Sequence, residues 1–123
     1  MYQQILLDTN IVIEKYPHGN VGLAELRNYG EKFWISVISV CELFSLPGLS
    51  ETEEKQIIKF ISNFKILGVN YPIARRAATL IRTRPNRKYR SDLIIAASAL
   101  VFNIPILTKN QKDFVRIPDL KIV

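Results

Sequence analysis

The residue pattern predicts an α/β fold, a three-layer α/β/α sandwich around a central, mostly parallel sheet. Three observations carry that expectation. Short apolar, β-favouring runs alternate with segments of helical periodicity, the order produced when each strand is followed by a crossover helix. Helix-start residues follow the first of these runs without a gap, at Leu7-Asp8-Thr9-Asn10. With 123 residues, 48% of them hydrophobic, the chain can bury one ordinary core, so residues 1–123 read as a single domain.

Ile5 to Leu7 is the first strand, and Asp8-Thr9-Asn10 supplies N-cap residues for a helix entered through Ile11-Val12-Ile13. Val21 to Tyr29 is a second amphipathic segment with Leu23 and Leu26 three apart, and Gly30 reads as its stop signal. Phe33 to Ser36 is aromatic and β-favouring, hence a strand. Ser39 is expected to cap the next helix, because Ser39-x-x-Glu42 matches a capping box. After the Pro47-Gly48 break, Ser50-Glu51-Thr52-Glu53 repeats that pattern ahead of a helix whose apolar face would carry Ile57, Ile58, Ile61 and Phe64. Lys65 to Val69 is a short strand, and Pro72 suits the first turn of a helix running to about Arg84. Thr83 to Tyr89 is a basic loop. Ser91 or Asp92 starts the most apolar helix, which ends near Asn103, and Pro105 to Thr108 forms the last strand.

Composition narrows the function classes. No apolar run approaches the roughly 18 residues of a membrane span, and Met1-Tyr2-Gln3-Gln4 lacks the regions of a signal peptide, so a cytoplasmic protein without a membrane role is expected. One cysteine, Cys41, excludes an intrachain disulfide framework and a Cys-based zinc cluster, and the one histidine, His18, leaves almost no nitrogen ligands. Any metal would be held by oxygen, which points to magnesium, with manganese as a substitute. The net charge is +6, and ten of the seventeen basic residues fall between Lys55 and Ser91, a stretch without an acid. Arg82, Arg84, Arg87, Lys88 and Arg90 crowd the approach to Asp92. Such a stripe suits a phosphate backbone or an acidic protein partner, and a plain solvated helix face is the bland alternative.

Three acids lie beside strongly apolar sequence: Asp8 follows Ile5-Leu6-Leu7, Glu42 lies inside Val37 to Phe44, and Asp92 precedes Leu93-Ile94-Ile95-Ala96-Ala97. A carboxylate drawn into apolar surroundings loses hydration worth on the order of several kcal/mol unless a cation or donors replace the water. In open parallel sheets the chemistry gathers at the carboxyl ends of strands, where Asp8 and Thr108-Lys109-Asn110 fall. Glu42 and Asp92 are expected in first turns of helices facing that edge. Carboxylates held together repel one another, and magnesium removes the conflict while acidifying the water it keeps. Asp113 would add a fourth acid. Each residue also has an ordinary structural role open to it: Asp8 and Asp92 as helix caps, Glu42 as the return arm of a capping box, Asp113 as a surface residue or cap.

Ile5-Leu6-Leu7-Asp8-Thr9-Asn10-Ile11-Val12-Ile13 resembles the first motif of PIN-domain ribonucleases. Ile35 to Leu43 is similar to their second motif, Ser91 to Leu100 to their third, and Ile106 to Phe114 to their fourth. The likeness spans nearly the whole chain, and length and motif order suit the compact toxins of VapBC-type toxin-antitoxin pairs. By that resemblance the fold is PIN-like, and Asp8, Glu42, Asp92 and Asp113 are the catalytic acids and metal ligands. Many family members carry an acid where this chain has Asn110, so Asn110 would contribute through its amide. Thr9, Asn10, Ser39 and Thr108 would orient carboxylates or bound water. The implied activity is magnesium-dependent cleavage of single-stranded or tRNA-like RNA, with Arg82, Arg84, Arg87, Lys88 and Arg90 on its phosphates and Tyr89 stacking a base. A cognate antitoxin, received between the Val21–Tyr29 and Ser50–Phe64 segments, and a homodimer are implied as well. Two other readings compete: a non-catalytic RNA-binding or interaction module, and a receiver-like signalling domain. The second is disfavoured because Asp8-Thr9-Asn10 offers one acid where a receiver places a pair, although Lys109 suits it.

Overall fold

Strands β1 (Tyr2–Leu7), β2 (Gly30–Ser36), β3 (Lys65–Leu67) and β4 (Ile106–Leu107) form one parallel sheet in the order β3-β2-β1-β4. The computed structural model describes residues 1–84 and 90–123. β1 is central, and the residues that close it, Ile5-Leu6-Leu7, are wholly buried because both faces of the sheet are covered. Side chains alternate across the sheet. Ile5 and Leu7 therefore join one core with Phe33 and Ile35, whereas Leu6 joins the opposite one with Ile106.

Four helices cover the first face: α1 (Thr9–Lys15), α2 (Gly19–Leu26), α3 (Val37–Phe44) and α4 (Glu51–Ile61) contribute Val12, Leu26, Leu43 and Ile57 to that core. Three cover the second: α5 (Tyr71–Arg82), α6 (Arg90–Phe102) and α7 (Gln111–Phe114) contribute Ile73, Leu93 and Phe114. The expected three layers are present. Burying each such side chain is worth about 1.5–3 kcal/mol. A charge at Leu6 would enter the α5–α6 layer without a partner and would disrupt this arrangement.

Local signals account for most boundaries. Ser50 and Glu53 form both arms of a capping box on α4, and Asn70 caps α5 by accepting from the Ile73 amide ahead of Pro72 in the first turn. On α4 the buried residues are Ile57, Phe60 and Ile61, whereas Ile58 is half exposed, so the apolar face is turned slightly from the one expected.

Two expectations need correction. Gly30 does not stop a helix: α2 ends at Leu26, and Gly30 opens β2. A Cβ there would lie 2.7 Å from both the Tyr2 carbonyl oxygen and Ile5 Cδ1, so the glycine permits close packing of β2 on β1. Ser39 is not a cap either. Ser36 caps α3, its hydroxyl oxygen accepting from the Ile38 amide at 3.1 Å, which moves Ser39 into the helix and Glu42 into its second turn. A further parallel pairing, Ile106 with Ile122, extends the sheet beyond β4.

Candidate active site

Strand register assembles the rim. Leu7 pairs with Ile35 on one side and Leu107 on the other, so Asp8, Ser36 and Thr108 stand level as the next residues of three adjoining chains. Asp8 is the N-cap of α1 and remains tied to the sheet by its amide, which donates to the Leu107 carbonyl at 3.0 Å. Its side chain is 1% exposed. Both carboxylate oxygens are held: Oδ1 accepts from the Thr9 amide at 2.9 Å, and Oδ2 accepts from the Thr108 hydroxyl at 2.8 Å. The capping role and the site role therefore belong to one side chain.

Glu42, half-buried on α3, is fixed across 33 residues of sequence by the Thr9 hydroxyl, which donates to Oε1 at 2.9 Å. A hydroxyl carries one proton. With that proton on Glu42, the 2.7 Å contact between Thr9 Oγ1 and Ser39 Oγ requires Ser39 to be the donor. The buried chain thus runs from Ser39 through Thr9 to Glu42. Across the rim, the Asn110 amide donates to Thr108 Oγ1 at 3.0 Å, so Asn110 supports Asp8 through Thr108 with its backbone, where its side-chain amide was expected to act. Asn10 is exposed and, among the described residues, makes no side-chain hydrogen bond, so the structure leaves it outside the network it was expected to join.

Electrostatics ties Asp92 to this rim. Burial pushes the Asp8 carboxyl above its usual range, and the charges of Asp92 and Glu42 push the same way, while the donors Thr108 and Thr9 pull it down. Asp92 itself is half-buried in the first turn of α6, where free amides and the helix dipole favour a negative charge. Asp113 is exposed in the first turn of α7. The structure thus brings Asp8, Glu42 and Asp92 into mutual influence.

The donor chemistry fits a hard divalent cation, since every group at the rim offers oxygen and a buried carboxylate stands in conflict with two others. Among the described residues, no group of three or more His, Cys, Asp and Glu side chains forms a ready-made cage, so the acids perturb one another without closing on one point. One neighbour was not visible from sequence: Lys109 forms an ion pair with Glu14 of α1, tying the segment after β4 to the helix that Asp8 caps. Glu14 Oε2 is shielded and without a hydrogen bond among the described residues. An ion pair across 95 positions leaves no local signature.

Of the basic residues, Arg82 and Arg90 are exposed and Arg84 is half-buried at the end of α5. Arg87 and Lys88, with Tyr89, lie outside the described residues. On the opposite layer, a groove between the Tyr16–His18 turn with α2 and α4 is lined by Tyr16, Leu23 and Phe60, with Gln56, Lys59 and Asn63 beside them. Among the described residues, no helix is long and apolar enough to cross a membrane.

A family model described as PIN domain matches residues 5–120. A ribonuclease VapC from Rickettsia bellii is 31% identical, with the alignment covering 97% of this chain and 94% of that protein. Ribonuclease VapC19 of Mycobacterium tuberculosis is 35% identical over 94% of this chain and 96% of its own. Among solved structures, VapBC-1 from nontypeable Haemophilus influenzae superposes with a TM-score of 0.80 at 26% identity, covering 98% of this chain and 97% of that one. VapBC2 from Rickettsia felis, bound to a DNA fragment from its promoter, gives 0.80 at 24% identity over 98% of each chain, a likeness of fold.

Proposed function

The chain belongs to the PIN domain family, and from that membership we propose that it is a magnesium-dependent endoribonuclease cutting single-stranded or tRNA-like RNA, the toxin of a toxin-antitoxin pair. The observation that carries the reading is Asp8: buried, gripped at both oxygens, and pressed by Glu42 and Asp92 at the carboxyl end of a parallel sheet. A protein with nothing to place there would not gain from concentrating negative charge in a desolvated rim. The relatives named ribonucleases support hydrolysis of RNA.

Asp8, Glu42 and Asp92 would hold the cation. When bound, magnesium offsets the charge of carboxylates and phosphodiester and acidifies water. The chain's own part is positional. Thr108 and the Thr9 amide set the plane of the Asp8 carboxylate, and Thr9 holds Glu42 by one oxygen, leaving Oε2 without a hydrogen bond among the described residues. That oxygen can take the proton of an attacking water aimed at phosphorus. Asp113 keeps a peripheral role, neutralising nearby basic groups, and Arg82, Arg84 and Arg90 hold RNA phosphates at the rim.

A manganese substitute, a cytoplasmic location and a homodimer complete the proposal; light scattering that finds only monomer at high concentration would remove the last. The groove beside Tyr16, Leu23 and Phe60 suits an apolar antitoxin helix, a partner suggested by the toxin-antitoxin complexes among the structural relatives. The decisive test is purified protein with total RNA in magnesium, in chelator, and as Asp92→Asn. Cutting is expected in the first condition alone. RNA affinity without turnover in any of them would favour a binding module.

A further inference from the structure

We infer that the cleft between α5 and the segment after α7, where Arg76 and Arg116 extend the positive charge of Arg84, holds backbone phosphates of an RNA strand beyond those met at the rim. This inference rests on the ribonuclease reading above and adds to it a remote substrate subsite.

The cleft is lined by those three arginines with Thr79 and Thr83. Arg84 is set in place from two sides: Nη1 donates to Thr83 Oγ1 at 2.8 Å and Nη2 donates to the Arg116 carbonyl at 3.1 Å. A guanidinium has five N–H donors, so three of the five on Arg84 remain available. The side chains of Arg76 and Arg116 spend none on hydrogen bonds among the described residues. None of the three makes an ion pair with a described carboxylate, and residues 85–89 contain no acid that could supply one. Asp119 borders the neighbouring recess that Arg76 also lines, yet it does not pair with it. The result is one braced and two exposed guanidinium groups without an ion-pair partner among the described residues, a form suited to phosphate oxygens.

Position supports a nucleic-acid occupant over an acidic protein. Arg76 shares a recess with Ala99, Leu100 and Asn103 at the far end of α6, and residues 83–89 alone join the end of α5 to the start of α6, so the two helices run antiparallel. Arg84, just past the end of α5, therefore lies toward the end of α6 that carries Asp92, and Arg76 lies roughly 9 Å back from the last residue of α5 at 1.5 Å per residue. A strand engaged at the acidic rim and continuing past Arg84 would meet Arg76 and Arg116 next. Arg76, and Arg116 across the cleft beside Arg84, would then contact only an RNA long enough to leave the rim.

The test uses fluorescein-labelled, mixed-sequence single-stranded RNAs of about 5 and about 20 nucleotides, with binding measured in chelator from 50 to 200 mM salt, a range in which phosphate contacts register strongly. The Arg76→Ala/Arg116→Ala variant alters two exposed side chains and leaves the Arg116 carbonyl that holds Arg84. For the longer RNA its log–log salt slope is expected to be shallower by about 1.4, at roughly 0.7 per phosphate contact, so the wild-type advantage grows about sevenfold from 200 to 50 mM. Binding of the short RNA and its cleavage in magnesium should not change, and Arg76→Lys/Arg116→Lys should restore the slope. An unchanged slope for the longer RNA, with cutting intact in the wild type, overturns the cleft alone. An equal loss for both RNAs also overturns it, because the cleft would then not be remote. Unchanged RNA binding with lost capture of the antitoxin would assign the cleft to a protein. Wild-type protein that cuts no RNA in magnesium would instead remove the ribonuclease reading.

Discussion

The acidic rim and the arginine cleft are opposite solutions to holding charge. At the rim, Asp8 is 1% exposed, both its oxygens are engaged, and two like charges press on it. In the cleft, Arg76 and Arg116 are exposed, and their side chains are held by nothing described. Low local dielectric makes each rim interaction strong and sensitive to position, whereas solvent and salt screen the cleft. The rim can therefore do chemistry that depends on sub-ångström placement, while the cleft can tolerate many sequences of strand. Losses at the rim should be steep and salt-independent, and losses at the cleft graded and salt-dependent.

The largest expected effect is on the rim. Asp8→Asn keeps the shape and removes the charge, and it should lower the cleavage rate about a thousandfold, equivalent to roughly 4 kcal/mol of transition-state stabilisation. Single-turnover cleavage of total RNA with clean metal controls measures this, and full activity would end the distinction drawn above. Next, Thr108→Val removes the donor to Asp8 Oδ2 without removing any acid. Loss of such a supporting group typically costs about 10–100-fold in metal affinity or activity. A magnesium titration of the cleavage rate should show the midpoint moving upward; an unmoved midpoint would make Thr108 merely structural.

A smaller effect concerns stability, and its sign opposes the loss of activity. Because the folded-state pKa of Asp8 is raised above 3.8, the native state binds more protons than the unfolded chain once pH exceeds that value. Stability contributed here is present below the unfolded pKa and declines as pH rises through the raised folded value. In chelator at neutral pH, Asp8→Asn should therefore melt a few degrees above wild type. The difference should shrink toward pH 3.8 and close when magnesium is added to the wild type. Thermal melts across that series measure it, and a variant less stable than wild type in chelator at neutral pH would show that burial there does not carry the conflict described.

Much of the layout was legible because the relevant signals are local. The Ser50–Glu53 capping box, Asn70 with Pro72, and the apolar Ile5-Leu6-Leu7 run each act over a few residues. Errors arose where one residue type serves two ends. Ser36 and Ser39 both precede apolar residues, and only the end of β2 decides which of them caps α3. Gly30 carries the composition of a helix stop, yet its role is set by Tyr2 and Ile5, 28 and 25 positions away. Asn10 lies beside the right motif but sits on an exposed face of α1 and, among the described residues, makes no side-chain hydrogen bond.

By itself the chain determined alternating strands and helices, an oxygen-only set of possible metal donors, and an uneven distribution of positive charge, since these depend on composition and on periods of two to four residues. Tertiary structure alone decided that Thr9 would serve Glu42 and that Thr108 would serve Asp8, partners 33 and 100 positions apart. It also decided that Arg84 would be braced by the carbonyl of Arg116. The physical reason is register: pairing Leu7 with both Ile35 and Leu107 sets three chain segments level, and which side chains then meet at the rim is a property of that alignment.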